Sequence, residues 1–241
     1  MLNEQEARDA IVIALDMSRE EALDLCDKLS GKAVWVKVGM TLFYRYGPSI
    51  VDEMRERGFR VFLDLKLHDI PFQIHGAAYS ASLGGADILS IHGLGGAAMI
   101  SEGRLGAEEA AAERGGDRTR LVAISVLTSM DQEALSSIGV NDPVDVEVKR
   151  LASLAVGAGA DGIVCSPQEA KSMRELLGPD AMIITPGIRP AGSDIGDQKR
   201  ISTPASAIAA GATKLVIGRP ITKAKDPVAA FESIVQELVK G

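Results

Sequence analysis

Val61-Phe62-Leu63-Asp64-Leu65-Lys66-Leu67-His68-Asp69-Ile70-Pro71 passes from an apolar run through alternating charges to a proline. The run Val61-Phe62-Leu63 predicts a buried strand. On a strand, Asp64 and Lys66 share a face, because successive side chains alternate. Opposite charges at the end of an apolar strand are costly unless they pair with each other and with further groups. Asp69 falls beyond the strand, and Pro71 suits the first turn of a helix. Taken alone, Asp-x-Lys-x-x-Asp also describes an ordinary ion pair where a strand meets a loop, and surface pairs contribute little. For the fold, the informative feature is the order: strand, polar junction, helix.

That order recurs along the chain. Apolar runs predict strands at 10–15, 34–38, 60–65, 86–91, 121–127, 161–165, 182–185 and 214–217. Between them lie helical patterns. One covers 22–29, opened by a capping box at Ser18 and Glu21 and closed by Gly31. Another covers 41–57 and breaks at Gly47-Pro48. Further helices are expected at 71–83, 97–113 and 143–156, and Ser166-Pro167-Gln168-Glu169 looks like a helix start. A short helix begins at Thr203-Pro204. Asp226-Pro227 caps a last one that carries Val228, Phe231, Ile234, Val235 and Leu238 on one face. Residues 186–200 form a polar loop rich in Gly and Pro, of a length usual for lids and binding loops. Eight strand–helix units imply a parallel sheet closed into a (β/α)8 TIM barrel, one catalytic domain over residues 1–241, with its site at the C-terminal strand ends. An open doubly wound sheet is the alternative. No G-x-G-x-x-G follows the first strand, which weakens its dinucleotide-binding form.

Composition agrees with a barrel. A chain of 241 residues matches the roughly 250 of such a fold. Apolar residues make up 46% and aromatics only 4%, so the core must rest on Val, Ile, Leu and Ala. The formal net charge of −7 argues against a nucleic-acid binder relying on global charge, yet a local cluster of Lys and Arg can still grip an anion. Cys26 and Cys165 have neither disulfide-framework nor metal-site spacing. Residues 1–6 are polar and acidic, unlike a signal peptide, and no apolar run is long enough to span a bilayer. The expectation is a reduced, cytoplasmic protein with no membrane partner.

On this fold, polar residues collect at the strand ends: Asp16, Lys37, Asp64, Lys66, His92, Thr128, Arg189 and Gly218-Arg219. Each has a bland explanation taken singly. Together they divide the mouth into a Lys-Asp-Lys-Asp network and an anion grip. Gly218 lets backbone approach closely, and Arg219 can fork onto phosphate oxygens, with Arg189 and Gln198 closing from the long loop. No zinc-ligand spacing and no nucleophile elbow is present.

At these residues the sequence resembles the orotidine 5′-monophosphate decarboxylase family nearly end to end. The segments are Ala14-Leu15-Asp16, Val36-Lys37-Val38-Gly39, Asp64 to Pro71, Val126-Leu127-Thr128-Ser129, Thr185-Pro186-Gly187-Ile188-Arg189 and Val216-Ile217-Gly218-Arg219-Pro220. The resemblance implies a homodimeric barrel that releases CO2 from orotidine 5′-monophosphate to give UMP, the last step of pyrimidine nucleotide synthesis, with no metal or cofactor. It implies that Asp16 and Lys37 hold the ribose, and that Lys37, Asp64, Lys66 and Asp69 form the charged network, Asp69 coming from the other subunit. By the same resemblance Lys66 would protonate C6, Thr128 would meet the pyrimidine edge, and Arg189, Gln198, Gly218 and Arg219 would bind phosphate. Ile70, Gln73 and Pro186 complete the substrate-contacting set. The family commonly has Asn-Thr after His-Asp-Ile-Pro; here Phe72-Gln73 stands there, and Gln73 keeps the capacity to donate and accept hydrogen bonds. Two rivals remain: a magnesium-dependent sugar-phosphate enzyme using the same Asp-x-Lys-x-x-Asp frame, and a catalytically silent phosphometabolite-binding barrel.

Overall fold

A computed structural model describes residues 2–190 and 202–241. The elements run α1 (Glu4–Ala10), β1 (Ile11–Ala14), α2 (Arg19–Leu29), β2 (Trp35–Gly39), α3 (Met40–Tyr46), α4 (Ser49–Glu56), β3 (Arg60–Leu67), α5 (Pro71–Leu83) and β4 (Ile88–His92). They continue with α6 (Gly96–Arg114), β5 (Arg120–Ile124), α7 (Gln132–Ser137), α8 (Val144–Gly157), β6 (Gly162–Val164), α9 (Ala170–Leu177), β7 (Met182–Thr185), α10 (Pro204–Ala209), β8 (Lys214–Ile217), α11 (Arg219–Thr222) and α12 (Pro227–Lys240). All eight strands pair in parallel with their sequence neighbours, and β8 returns to β1 to close the barrel. The fold is a (β/α)8 TIM barrel.

Strand alternation divides each strand between two cores. Val12, Ala14, Trp35, Phe62, Ile88, Val122, Met182, Ile184 and Val216 pack together inside the barrel. Their neighbours, such as Ile11, Ile13, Val36, Val61, Leu63 and Leu215, join the layer between strands and helices. The inward set, extended by twos toward the strand ends, reaches Asp16, Lys37, Asp64 and Lys66. Alternation therefore points Lys37 and Asp64 into the mouth, while Asp16 follows the end of β1 and Lys66 lies where β3 departs from regular pairing. At the base, Trp35 fills the interior as a core residue, and its indole Nε1–H donates to Asp9 Oδ1 at 2.8 Å. Gly162 on β6 is a point of close approach: a Cβ there would lie 1.9 Å from the Met182 carbonyl oxygen of β7.

Four local readings change. The chain starts with a helix that its polar composition hid, α1, held by a reciprocal capping box between Asn3 and Glu6. β5 ends at Ile124 rather than 127, since Ser125 turns aside and its Oγ–H donates to the Val164 carbonyl at 3.0 Å. Ser166-Pro167 does not open a helix. Glu169 Oε2 accepts the Ser166 N–H at 2.8 Å to make a turn, the Ser166 hydroxyl is buried without a partner, and α9 begins at Ala170. Finally, β3 runs on through Leu67, so Asp64 and Lys66 lie inside the strand and not after it.

Candidate active site

The extension of β3 creates the site's geometry. Leu63 pairs with Leu89 of β4, but the next pairing is Leu67 with Ile91. Four steps on β3 thus match two on β4, a bulge of the kind that re-aims side chains. Within it Lys66 has φ +52°, the only non-glycine residue with positive φ among the described residues. A left-handed residue with a Cβ costs about 1–2 kcal/mol. Ser90 of β4 offsets the lost ladder. Its Oγ accepts the Lys66 backbone N–H at 2.8 Å, and its own hydroxyl donates to Asp64 Oδ1 at 2.8 Å.

Asp64 is the hub. Lys66 Nζ lies 2.9 Å from each Asp64 oxygen. Lys37 Nζ stands 3.7 Å from Asp64 Oδ2 and donates to Asp16 Oδ1 at 3.1 Å. Burial alone pushes the Asp64 carboxyl up. The Lys37 and Lys66 charges, with hydrogen bonds from Lys66 and Ser90, outweigh it and hold Asp64 below the usual carboxylate range. Asp16 is exposed at the rim, Lys37 is buried, and Lys66 is half-buried. His92, stacked on His68 at 5.1 Å, is held toward its neutral form first by burial and then by the electrostatics of its neighbours, Lys66 among them.

Two connected cavities occupy the mouth. One, of about 200 Å3, brings Lys37, Asp64, Lys66 and Thr128 against an apolar wall that includes Phe62, Ile124 and Val164. The other, of about 400 Å3, joins Asp16 and Lys37 to Arg189, Gly218 and Arg219. Lys37 and Pro186 line both. Arg189 is buried, and its Nη1 donates to the Ile188 carbonyl at 2.8 Å. A Cβ on Gly218 would make only ordinary contact with Ala14, at 3.6 Å. Asp69, Ile70 and Gln73 are exposed beside the mouth and do not join the network of their own chain; Asp69 Oδ1 accepts the Ile70 N–H at 2.7 Å. Gln198 lies outside the described residues.

One residue, Ser90, escaped the sequence reading, and the role of a second, Gly39, could not be read from the motif that holds it. Ser90 announced itself only as a small polar residue set among Ile88, Leu89 and Ile91. Gly39 closes β2 where a Cβ would sit 3.0 Å from Lys37 Nζ and 3.2 Å from Asp16 Oδ1. Both atoms are ends of flexible chains, so a methyl there displaces the ammonium without breaking the barrel. Gly39→Ala is expected to unfold within about 1 kcal/mol of the wild type while losing turnover. A loss of stability that accounts for the lost activity would contradict this.

The site thus belongs to a class: a (β/α)8 barrel whose mouth couples an ion-paired Asp-x-Lys unit to a hollow lined by Arg189 and Arg219. Comparison with known proteins narrows it. The chain belongs to the Orotidine 5'-phosphate decarboxylase / HUMPS family, whose model matches residues 9–234. Orotidine 5'-phosphate decarboxylase of Alkalilimnicola ehrlichii is 49% identical over 229 residues, covering 95% of each chain. That of Moorella thermoacetica is 47% identical over 234 residues, covering 96% of this chain and 93% of its own. The crystal structure of orotidine 5'-phosphate decarboxylase from Lactobacillus acidophilus superposes with a TM-score of 0.85 at 36% identity, covering 95% of this chain and 99% of that one.

Proposed function

We propose that this chain decarboxylates orotidine 5′-monophosphate to UMP in pyrimidine nucleotide synthesis, as one barrel domain over residues 1–241. The observation that carries the reading is the Lys66 ammonium, set in a bulged strand 2.9 Å from both oxygens of Asp64, beside a hollow that continues to Arg219. Loss of CO2 leaves an electron pair on C6, a ring carbon with no conventional sink. Lys66 offers a fixed positive charge to that developing carbanion and then delivers a proton to C6. Asp64 orients the ammonium and faces the departing carboxylate. Lys37 keeps Asp64 ionised and, with Asp16, holds the ribose hydroxyls, while Thr128 and Pro186 flank the pyrimidine. Arg189, Gln198, Gly218 and Arg219 take the phosphate, whose remote binding energy closes the mouth over the reacting carbon. The magnesium-dependent reading fits less well, because Asp64 already accepts from Lys66 and Ser90, and Asp16 from Lys37.

The working unit in this account is a cytoplasmic homodimer in which Asp69 crosses to the other site. No helix among the described residues is long and apolar enough to cross a membrane. Phe72 is 80% and Ile70 62% exposed beside Asp69, an apolar patch of the sort a partner covers. Ile70 and Gln73 then reach the neighbouring site along with Asp69. Inactive Lys66→Ala and Asp69→Ala chains, mixed, are expected to regain activity, because each heterodimer holds one intact site. Confirmed heterodimers without activity would refute the sharing. For the phosphate assignment, Arg219→Ala is expected to raise KM by about tenfold or more; an unchanged KM for orotidine 5′-monophosphate would remove Arg219 from the grip.

A further inference from the structure

The end of the barrel opposite the mouth carries a second polar cavity, of about 660 Å3. Five arginines line it: Arg55, Arg60, Arg114, Arg118 and Arg120. Arg60 opens β3 and Arg120 opens β5, so the cavity lies where the strands begin. It exceeds both mouth cavities, at about 400 and 200 Å3, and is separated from them by the packed barrel interior.

Local acids do not balance these cations. Asp87 answers two of them at once. Its Oδ2 accepts from Arg55 Nη1 at 3.1 Å and its Oδ1 from Arg60 Nε at 3.3 Å, and Oδ2 also accepts the Val61 backbone N–H at 2.8 Å. Arg118 pairs with Asp161 through Nη1 at 2.9 Å. Arg114 donates to the carbonyls of Ser82 and Asp117, at 2.7 and 2.6 Å, which leaves its charge unneutralised. Among the described residues Arg120 has no side-chain hydrogen bond or ion pair. Asp117 is the one other acid in the lining. A chain of net charge −7 has therefore gathered an excess of guanidinium into one concavity, where like charges repel.

We propose that this basal cavity binds a small polyanion bearing a chain of two or three phosphates, free or carried by a nucleoside. Guanidinium forks match phosphate oxygens bidentately, and Arg is the side chain suited to that recognition. A monophosphate engages one or two guanidiniums, whereas the set here extends from the start of β3 to the start of β5. The cavity has the size of a small-molecule site and not of an extended nucleic-acid groove.

The protein contains its own reporter. Trp35 is the only tryptophan, and the Arg60 guanidinium lies 4.5 Å from its ring centroid. An anion that draws Arg60 toward the cavity changes that contact and the indole fluorescence. The experiment titrates the full-length protein, at constant ionic strength and with saturating UMP filling the mouth, with inorganic tripolyphosphate and separately with ATP and UTP. A saturable Trp35 response is expected, weakened about tenfold or more by Arg120→Ala and unchanged by Arg219→Ala. Equal affinities mean that the phosphate chain alone is recognised, and tighter ATP or UTP assigns a nucleotide. No saturation in the wild type, a response that sodium chloride reproduces, or full affinity in Arg120→Ala would overturn the site. The titration reads binding and not turnover, so its failure leaves the decarboxylase reading untouched.

Discussion

Replacing Lys66 by Ala is expected to lower kcat by about 10⁴-fold or more, since it removes both the proton donor and the charge that stabilises the carbanion. The chain is expected to remain folded. Lys66 is half-buried at the mouth, so its removal opens no core cavity, although Asp64 loses a partner. The backbone offers a control. Lys66 has φ +52°, a conformation in which Gly is at ease and Ala is not. Lys66→Gly should therefore unfold about 1 kcal/mol later than Lys66→Ala, with both equally inactive. Such a pair of results would separate the strain of the bulge from the chemistry of the ammonium. Near-normal turnover in either variant would remove the proton-donor role.

Asp64→Ala is the second large effect. It leaves the Lys37 and Lys66 ammoniums facing each other in a mostly buried site, and breaking such a network costs roughly 3 kcal/mol. Turnover is expected to fall with it, because nothing then aims Lys66. The pH dependence has a definite sign. A carboxyl held below its ordinary value contributes stability that is present above the unfolded-state pKa and is lost as pH falls through the lower folded-state pKa. The wild type should thus lose the Asp64 contribution only in acid, below the roughly 3.9 of a free aspartate. Urea unfolding of wild type and Asp64→Ala should show a gap at neutral pH that narrows in that range. A gap that stays constant into strong acid would mean that Asp64 is not the ionised hub. Asp64→Asn refines the test, as it keeps an acceptor for Ser90 while removing the charge and one of the two acceptors of Lys66.

Much of this was legible in the residues, for physical reasons. Apolar strands flanked by capped helices can bury both strand faces only in a parallel sheet covered by helices, and eight such units close. Capping chemistry fixed α2 through Ser18 and Glu21, and Pro71 fixed the start of α5. The bulge was not legible, because no glycine marks it. The αL position is taken by Lys66 itself, stabilised by a Ser90 that lies 24 residues away and looks like an ordinary strand residue. Gly39 was visible as part of a motif, but its reason is a distance to Lys37 that exists only once β1 and β2 are paired. Ser166-Pro167-Gln168-Glu169 misled because the Glu side chain satisfies the Ser backbone while the Ser hydroxyl caps nothing.

The measurement that bears most directly on the central claim is to mix the purified, EDTA-treated protein with orotidine 5′-monophosphate, follow the loss of its ultraviolet absorbance, and identify UMP by chromatography. Rapid conversion that EDTA leaves unchanged is the predicted result. A folded protein that binds UMP but releases no CO2, or converts its substrate only when magnesium is restored, would contradict the account.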